Sequence, residues 1–149
     1  MRLIANLSQN RHGYVLGYIL FSQFSEPKPI RFLVDSGCSI TTLLGDDVTR
    51  LSINCSGFQR ATNPCNTANG PVLPYIIPNV KLFFVVEDGL LNRRKTLEFT
   101  FDYIECMQPT NPSLMTPQRI QYAYSLLGMD FLRTFKKWHF NQTELVLKQ

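Results

Sequence analysis

Apolar and polar positions alternate, or gather in short apolar blocks, along most of this chain, and few stretches carry a helical repeat. Residues 14–21 form an unbroken strand-sized apolar run. A turn with two prolines, Ser25-Glu26-Pro27-Lys28-Pro29, separates it from a second strand over 30–34, so the two are expected to pair as a hairpin. The β-branched segment Ile40-Thr41-Thr42-Leu43-Leu44 predicts another short strand. Residues 45–51 read as a short helix, with Asp46 and Asp47 at the end where its dipole favours acids. Residues 58–67 are polar and rich in Asn, and Thr67-Ala68-Asn69-Gly70-Pro71 then signals a turn with Asn-Gly at its centre. Residues 58–77 together predict a long hairpin projecting from the body.

Residues 72–86 are strand-like, and Pro74 and Pro78 argue for an edge or a bend there. Glu87-Asp88-Gly89 predicts a turn. Over 96–103, Leu97, Phe99, Phe101 and Tyr103 alternate with Glu98, Thr100 and Asp102, the pattern of a half-buried strand. Residues 107–116 read as loop, 117–124 as a helical turn, 126–127 as a strand, and 130–137 as a helix with Asp130 near its start. A hairpin around Asn141-Gln142-Thr143 closes the chain. The fold class expected is mainly all-β with one or two short helices, in one domain spanning residues 1–149 with its core over about 14–147.

The chemistry concentrates at Leu33-Val34-Asp35-Ser36-Gly37. A strand delivers one carboxylate to a sharp turn, a hydroxyl follows that can fasten the loop, and a glycine leaves room for water or substrate against the backbone. A strand-end turn with an exposed Asp is the plain reading of the tripeptide alone. A second segment, Ser125-Leu126-Leu127-Gly128-Met129-Asp130-Phe131-Leu132, repeats the pattern of apolar strand, glycine and helix.

Together these segments resemble the retropepsin-like aspartic proteases, the single-lobe family that includes the retroviral enzymes. The resemblance runs from about residue 14 to residue 147. Leu33-Val34-Asp35-Ser36-Gly37-Cys38 matches the catalytic motif, Leu126-Leu127-Gly128 with Met129 and Asp130 the second structural motif, and Asn69 with Gly70 the tip of the flap hairpin. It implies a closed, barrel-like acid protease fold with a flap hairpin and a C-terminal helix, Asp35 as the catalytic acid, Ser36 and Gly37 as its supporting loop, and Leu127 with Gly128 as structural positions. Ser39 and Met129 stand where retroviral enzymes carry an Asp and an Arg that pair with each other, so that supporting ion pair is absent as a unit.

The chain holds a single Asp-Ser-Gly, and Asp46, Asp47, Asp88, Asp102 and Asp130 all lack the hydroxyl-glycine continuation. Hydrolysis by this chemistry needs two carboxylates, so an enzyme of this type is a two-fold homodimer acting on extended, apolar-flanked peptides. The alternative is a protease-like dimer that binds peptide or protein without cutting it.

The remaining composition narrows rather than changes this picture. Nine prolines and eleven phenylalanines among 149 residues favour strands and loops over a helical bundle. The net charge of +4 is mild, and Arg93-Arg94-Lys95 and Lys136-Lys137 are short separate clusters, so no nucleic-acid partner is expected. Cys38, Cys55, Cys65 and Cys106 show no metal-ligand spacing, and neither metal nor organic cofactor is expected. The residues after Met1 lack the long apolar run of a secretory signal and no stretch reaches membrane-spanning length. The expectation is a cytoplasmic protein with reduced thiols, in which Cys55 and Cys65 would be the pair to bridge under oxidising conditions. His12 and His139 are expected at the surface, and Trp138 in the core or an interface.

Overall fold

A computed structural model describes residues 1–7, 13–88, 93–141 and 143–149. The strands in chain order are β1 (Arg2–Leu7), β2 (Gly13–Leu20), β3 (Lys28–Val34), β4 (Thr42–Leu43), β5 (Gln59–Arg60), β6 (Cys65–Thr67), β7 (Gly70–Val72), β8 (Tyr75–Asp88), β9 (Arg93–Cys106), β10 (Ser125–Leu127), β11 (Lys137–Phe140) and β12 (Glu144–Lys148). Three short helices, α1 (Gly45–Arg50), α2 (Pro117–Gln121) and α3 (Met129–Leu132), and one 3-10 turn (Pro112–Leu114) interrupt them.

The main sheet closes on itself. β2, β3, β10, β4, β9 and β8 pair in that order, and β8 returns to β2. β1 also touches β8 through Arg2 and Glu87, and carries β12 and β11 beyond it. Closure leaves few open edges and puts one set of side chains inside. Phe32, Phe84, Leu43, Ile77, Ile104 and Leu127 fill that interior, all fully buried. Phe131 of α3 stacks against Phe84 and Phe99, plugging one end with aromatic area.

The two long strands β8 and β9 form a ribbon in one continuous register, from Tyr75 opposite Cys106 to Asp88 opposite Arg93. It is longer than the sequence pattern suggests: Glu87 and Asp88 continue β8 rather than turning, β9 begins at Arg93, and Gly89 lies outside the described residues. Asn79 takes a left-handed backbone, with φ at 54°. This exchanges the two faces of the ribbon. Val80, Leu82, Phe84 and Val86 are buried beyond the kink, but Ile77 is the buried residue before it. The same reversal on β9 buries Phe101 and then Ile104 and Cys106, leaving Tyr103 at 42% exposure. The expected alternation therefore holds for Phe99 and Phe101 and fails at Tyr103. Pro78 does not break β8, because it lies between the stretches of β8 that pair with β5 and with β2.

The C-terminal helix is one turn, Met129–Leu132, instead of the expected 130–137. Thr134 ends it, its N–H and hydroxyl both donating to the Phe131 carbonyl, and the chain enters β11 at Lys137. Asn141 then accepts from the Thr143 and Glu144 N–H groups and turns β11 into β12, while Gln142 lies outside the described residues. β1 has no counterpart in the sequence pattern. It forms because its partners supply the pairing: Arg2, Leu3 and Ile4 lie opposite Val146, Leu145 and Glu144, and Ala5 to Leu7 run along β2.

Candidate functional site

β3 and β10 lie side by side and parallel, with Phe32, Leu33 and Val34 opposite Ser125, Leu126 and Leu127. β10 also contacts β4, Leu126 opposite Thr42. The two sequence motifs, about ninety positions apart, thus end at the same place. The Asp35 N–H donates to the Leu127 carbonyl at 3.0 Å, which extends the ladder by one rung and fixes the Asp at the strand end. Its carboxylate is partly exposed, and Oδ1 accepts the Gly37 N–H at 2.9 Å. The Cys38 N–H closes the turn onto the Asp35 carbonyl at 3.2 Å. Ser36 and Gly37 are exposed, and the Ser36 hydroxyl has no partner among the described residues. The loop presents one carboxylate, one hydroxyl and one bare backbone to the outside.

Behind this loop the chain from Cys38 to Thr41 crosses over Gly128. The Cys38 carbonyl accepts the Met129 N–H at 2.8 Å and the Ser39 carbonyl accepts the Asp130 N–H at 3.1 Å. A side chain at Gly128 would meet the Ile40 carbonyl carbon at 2.8 Å and the Cys38 oxygen and Thr41 nitrogen at 2.9 Å. All three are backbone atoms, so the crossing requires glycine.

Thr41 and Asp130 lock the crossing. The Thr41 N–H donates to Asp130 Oδ2 at 2.9 Å and the Thr41 hydroxyl to Oδ1 at 2.7 Å, while the same hydroxyl accepts the Gly128 N–H at 3.1 Å. Asp130 therefore does more than sit at a helix start: Gly128 holds the cap position, and the Asp130 carboxylate ties α3 to the exit of the Asp35 loop. Asp130 was legible as a polar residue near a helix end; Thr41, fully buried, carried no signal because it lies inside a β-branched apolar run. A second buried latch supports the other side of β10. Ser125 Oγ donates to the buried Asp47 carboxylate at 2.8 Å and accepts the Leu44 N–H at 3.1 Å, and Arg50 closes on Asp47 at 2.9 Å.

β6 and β7 form a separate two-stranded hairpin, joined to the body through β5 on β8. Thr67 faces Gly70, so its two-residue tip is Ala68-Asn69, one position earlier than Asn69-Gly70. Thr67 determines the shift: its hydroxyl donates to the Gly70 carbonyl and accepts the Asn69 N–H. Gly70 takes φ at 105° where the strand returns, open only to glycine at little cost. At the root, the Arg60 guanidinium lies 3.7 Å from the Tyr75 ring centre and donates to the Leu73 carbonyl at 2.7 Å. Burial raises the Cys38 thiol pKa, hydrogen-bonding contacts with the Thr42 side chain and the Ile40 backbone oppose it, and Asp35 and Cys65 add to the rise.

Cys55 and Cys106 are the close thiols, both buried with their sulfurs 3.6 Å apart. Cys65 stands on the hairpin instead, and all four thiols are free, so the pair placed to bridge under oxidising conditions is Cys55 with Cys106 rather than Cys55 with Cys65. The reason is topological, since β8 and β9 bring residue 106 under the segment that follows α1. Among the described residues no group of three or more His, Cys, Asp or Glu side chains could hold a metal ion. No helix among them is long and apolar enough to cross a membrane.

The architecture is similar to the crystal structure of a retropepsin-like aspartic protease from Rickettsia conorii, with a TM-score of 0.56 and 21% sequence identity over 99% of this chain and 89% of that one. The chain has the retropepsin-like fold. No family model and no curated protein matches its sequence. In retropepsin-like terms, the six-stranded closure, the paired strand-to-glycine motifs and the short terminal helix are all present. Asp35, Ser36, Gly37, Leu127 and Gly128 come together at one crossing. Asn69 and Gly70 stand apart from it on the hairpin.

Proposed function

We propose that the protein is an aspartic endopeptidase, one domain per protomer, that works as a two-fold homodimer with Asp35 from each protomer on the axis. The observation that carries this reading is the Asp35 loop itself. It holds a partly exposed carboxylate rigidly at a strand end and leaves the neighbouring Ser36 hydroxyl without a partner among the described residues. A lone protomer has half the acid-base equipment. A second copy supplies the other carboxylate, and the Ser36 hydroxyls then have each other's loops to bond.

Two carboxylates held a few ångströms apart cannot both ionise, so the pair shares one proton. The ionised member takes a proton from a water between them, and the water oxygen attacks the scissile carbonyl carbon. The protonated member donates to the carbonyl oxygen as charge develops there. Collapse of the tetrahedral species breaks the C–N bond: the carboxyl that took the water's proton gives it to the leaving nitrogen, and the other takes a proton from a gem-diol hydroxyl, which restores the shared-proton pair. The β6–β7 hairpin serves as the flap, laying backbone hydrogen bonds along an extended peptide and excluding water. Its Arg60 anchor keeps the root fixed while the tip moves.

The test compares wild type with Asp35→Asn on a mixed peptide library between about pH 3 and 7. Acid-favoured cleavage that is lost in the variant and blocked by a statine-type transition-state mimic is expected. Equal cleavage by both proteins, or sedimentation as monomer alone at high concentration, would overturn the reading.

A further inference from the structure

β9 is paired on one side along its whole length and on the other only at its end. β8 covers one edge from Arg93 to Cys106, whereas β4 reaches only Glu105 and Cys106. The Glu105 N–H donates to the Thr41 carbonyl and the Met107 N–H to the Leu43 carbonyl, so at this end of β9 the odd-numbered residues turn their backbone groups toward β4. Tyr103 keeps this phase and lies opposite Pro78, which has no N–H to offer, as the phase requires. The reversal at Asn79 shifts the phase beyond. Asp35 turns to β10, so the even residues of β3 face β2, the even residues of β2 face β8 and the even residues of β8 face β9. This pairs Phe99 and Phe101 with Leu82 and Val80, and turns the N–H and C=O of Glu98 and Thr100 to the side where no described strand pairs with them.

This open edge is the wall of a groove of about 340 Å³, formed by β9 from Phe99 to Tyr103 with Ile40 and Asp130 across from it. No Lys or Arg lines it. On the outer face, Glu98 is already matched by Lys81 at 2.9 Å, but the exposed Asp102 has no ion-pair partner among the described residues. On the inner face, Ile40 and Phe99 offer partly buried apolar surface. A strand laid here would place alternate side chains on these two faces. Unpaired backbone groups ask for an extended peptide, Asp102 for a cation on its outer side, and Ile40 with Phe99 for an apolar residue beside it. Ile40 follows Asp35 by five residues, so the groove begins no more than about 18 Å from the carboxylate, a distance that about six extended residues cover.

We propose that the open edge of β9 from Phe99 to Tyr103 is an accessory binding site that takes a Lys- or Arg-containing, alternately apolar segment of the substrate polypeptide as an added strand. The proposal rests on the endopeptidase reading for its choice of occupant. The segment lies outside the residues flanking the cut bond, and its binding raises the local concentration of the scissile sequence at the Asp35 pair.

Two measurements test it, one of them independent of cleavage. In the first, Asp35→Asn protein is titrated into a fluorescent extended peptide with alternating Lys and Val, and anisotropy is read. Binding is expected to weaken with salt, to fall about two- to fivefold on adding Asp102→Asn, and to fall about tenfold when the peptide is N-methylated at alternate backbone positions. The peptide modification removes donors without touching the protein's folding. No binding, or equal binding of a Glu-Val peptide or the methylated peptide, would overturn the accessory site and leave the endopeptidase reading standing. In the second, wild-type kcat/KM is compared for a short cleavable peptide and the same peptide carrying the Lys-Val segment six residues away. A higher value for the long peptide, carried in KM and reduced toward a ratio of one by Asp102→Asn, is expected; a ratio of one in wild type would overturn the proposal. Absence of cleavage of either peptide, with anisotropy binding intact, would sink the endopeptidase reading and the substrate as occupant together, while leaving the open edge as a peptide site.

Discussion

Replacing Thr41 with Val removes one hydroxyl and almost nothing else, since the two side chains have nearly the same shape. Thr41 is fully buried, and its hydroxyl both donates to Asp130 Oδ1 at 2.7 Å and accepts the Gly128 N–H at 3.1 Å. The substitution loses a bond to a carboxylate, worth about 1.5–3 kcal/mol, and leaves a buried N–H unpaired at a cost of about 1–3 kcal/mol. The backbone bond from the Thr41 N–H to Oδ2 survives. Because both losses share one atom they do not simply add, and a destabilisation of about 3 kcal/mol is expected, or a fall in Tm of roughly 6–12 °C for a chain of this size. Urea titration at two fixed protein concentrations measures it and separates any contribution from dimerisation. Asp130→Asn keeps one acceptor for the Thr41 N–H and is expected to lose less. A loss below about 1 kcal/mol for Thr41→Val, at unchanged m value, would show that the crossing behind the Asp35 loop is held by something other than this latch.

Three further outcomes follow from the same geometry. Gly128→Ala drives a methyl group into backbone atoms at 2.8–2.9 Å and is expected to destabilise by about 1–3 kcal/mol or more in urea titration, whereas an effect near zero would mean that the crossing yields freely. Burial, and then the nearby Asp130 charge, hold the half-buried Glu105 carboxyl above its ordinary value. A raised folded-state pKa favours the protonated fold, so this contribution is present below the unfolded value and lost as pH rises through the folded one. Glu105→Gln should therefore raise Tm at pH 7 and lose that advantage as pH falls through the ordinary carboxyl range; a destabilised variant at pH 7 would contradict this. Oxidative refolding with a low-molecular-weight disulfide should join Cys55 to Cys106, and peptide mapping that finds Cys55 linked to Cys65 would refute the placement of β9 beneath the segment after α1.

Local rules carried a large part of this protein. The strand leading to Asp35, the Asp-Ser-Gly turn, the second strand ending at Gly128 and the mainly β character were all legible, because two-residue periodicity and turn chemistry are properties of neighbouring residues. The hairpin over 58–77 was legible too, but its tip moved by one residue because the Thr67 hydroxyl, rather than the Asn-Gly pair, sets the turn. Tertiary structure decided the rest. The left-handed Asn79 reverses the faces of β8 and β9 and exposes Tyr103, a change that alternation cannot announce because it preserves the register. β1 acquires strand form from β12 and β2, and α3 stops after one turn because β11 claims the residues that follow. The latch between Thr41 and Asp130 joins residues 89 positions apart, and Cys55 finds Cys106 across 51. A sequence read along its length records what each residue prefers beside its neighbours. Which distant groups share a buried hydrogen bond, and which strand edge is left open, depends on sheet closure, and closure is a property of all the strands at once.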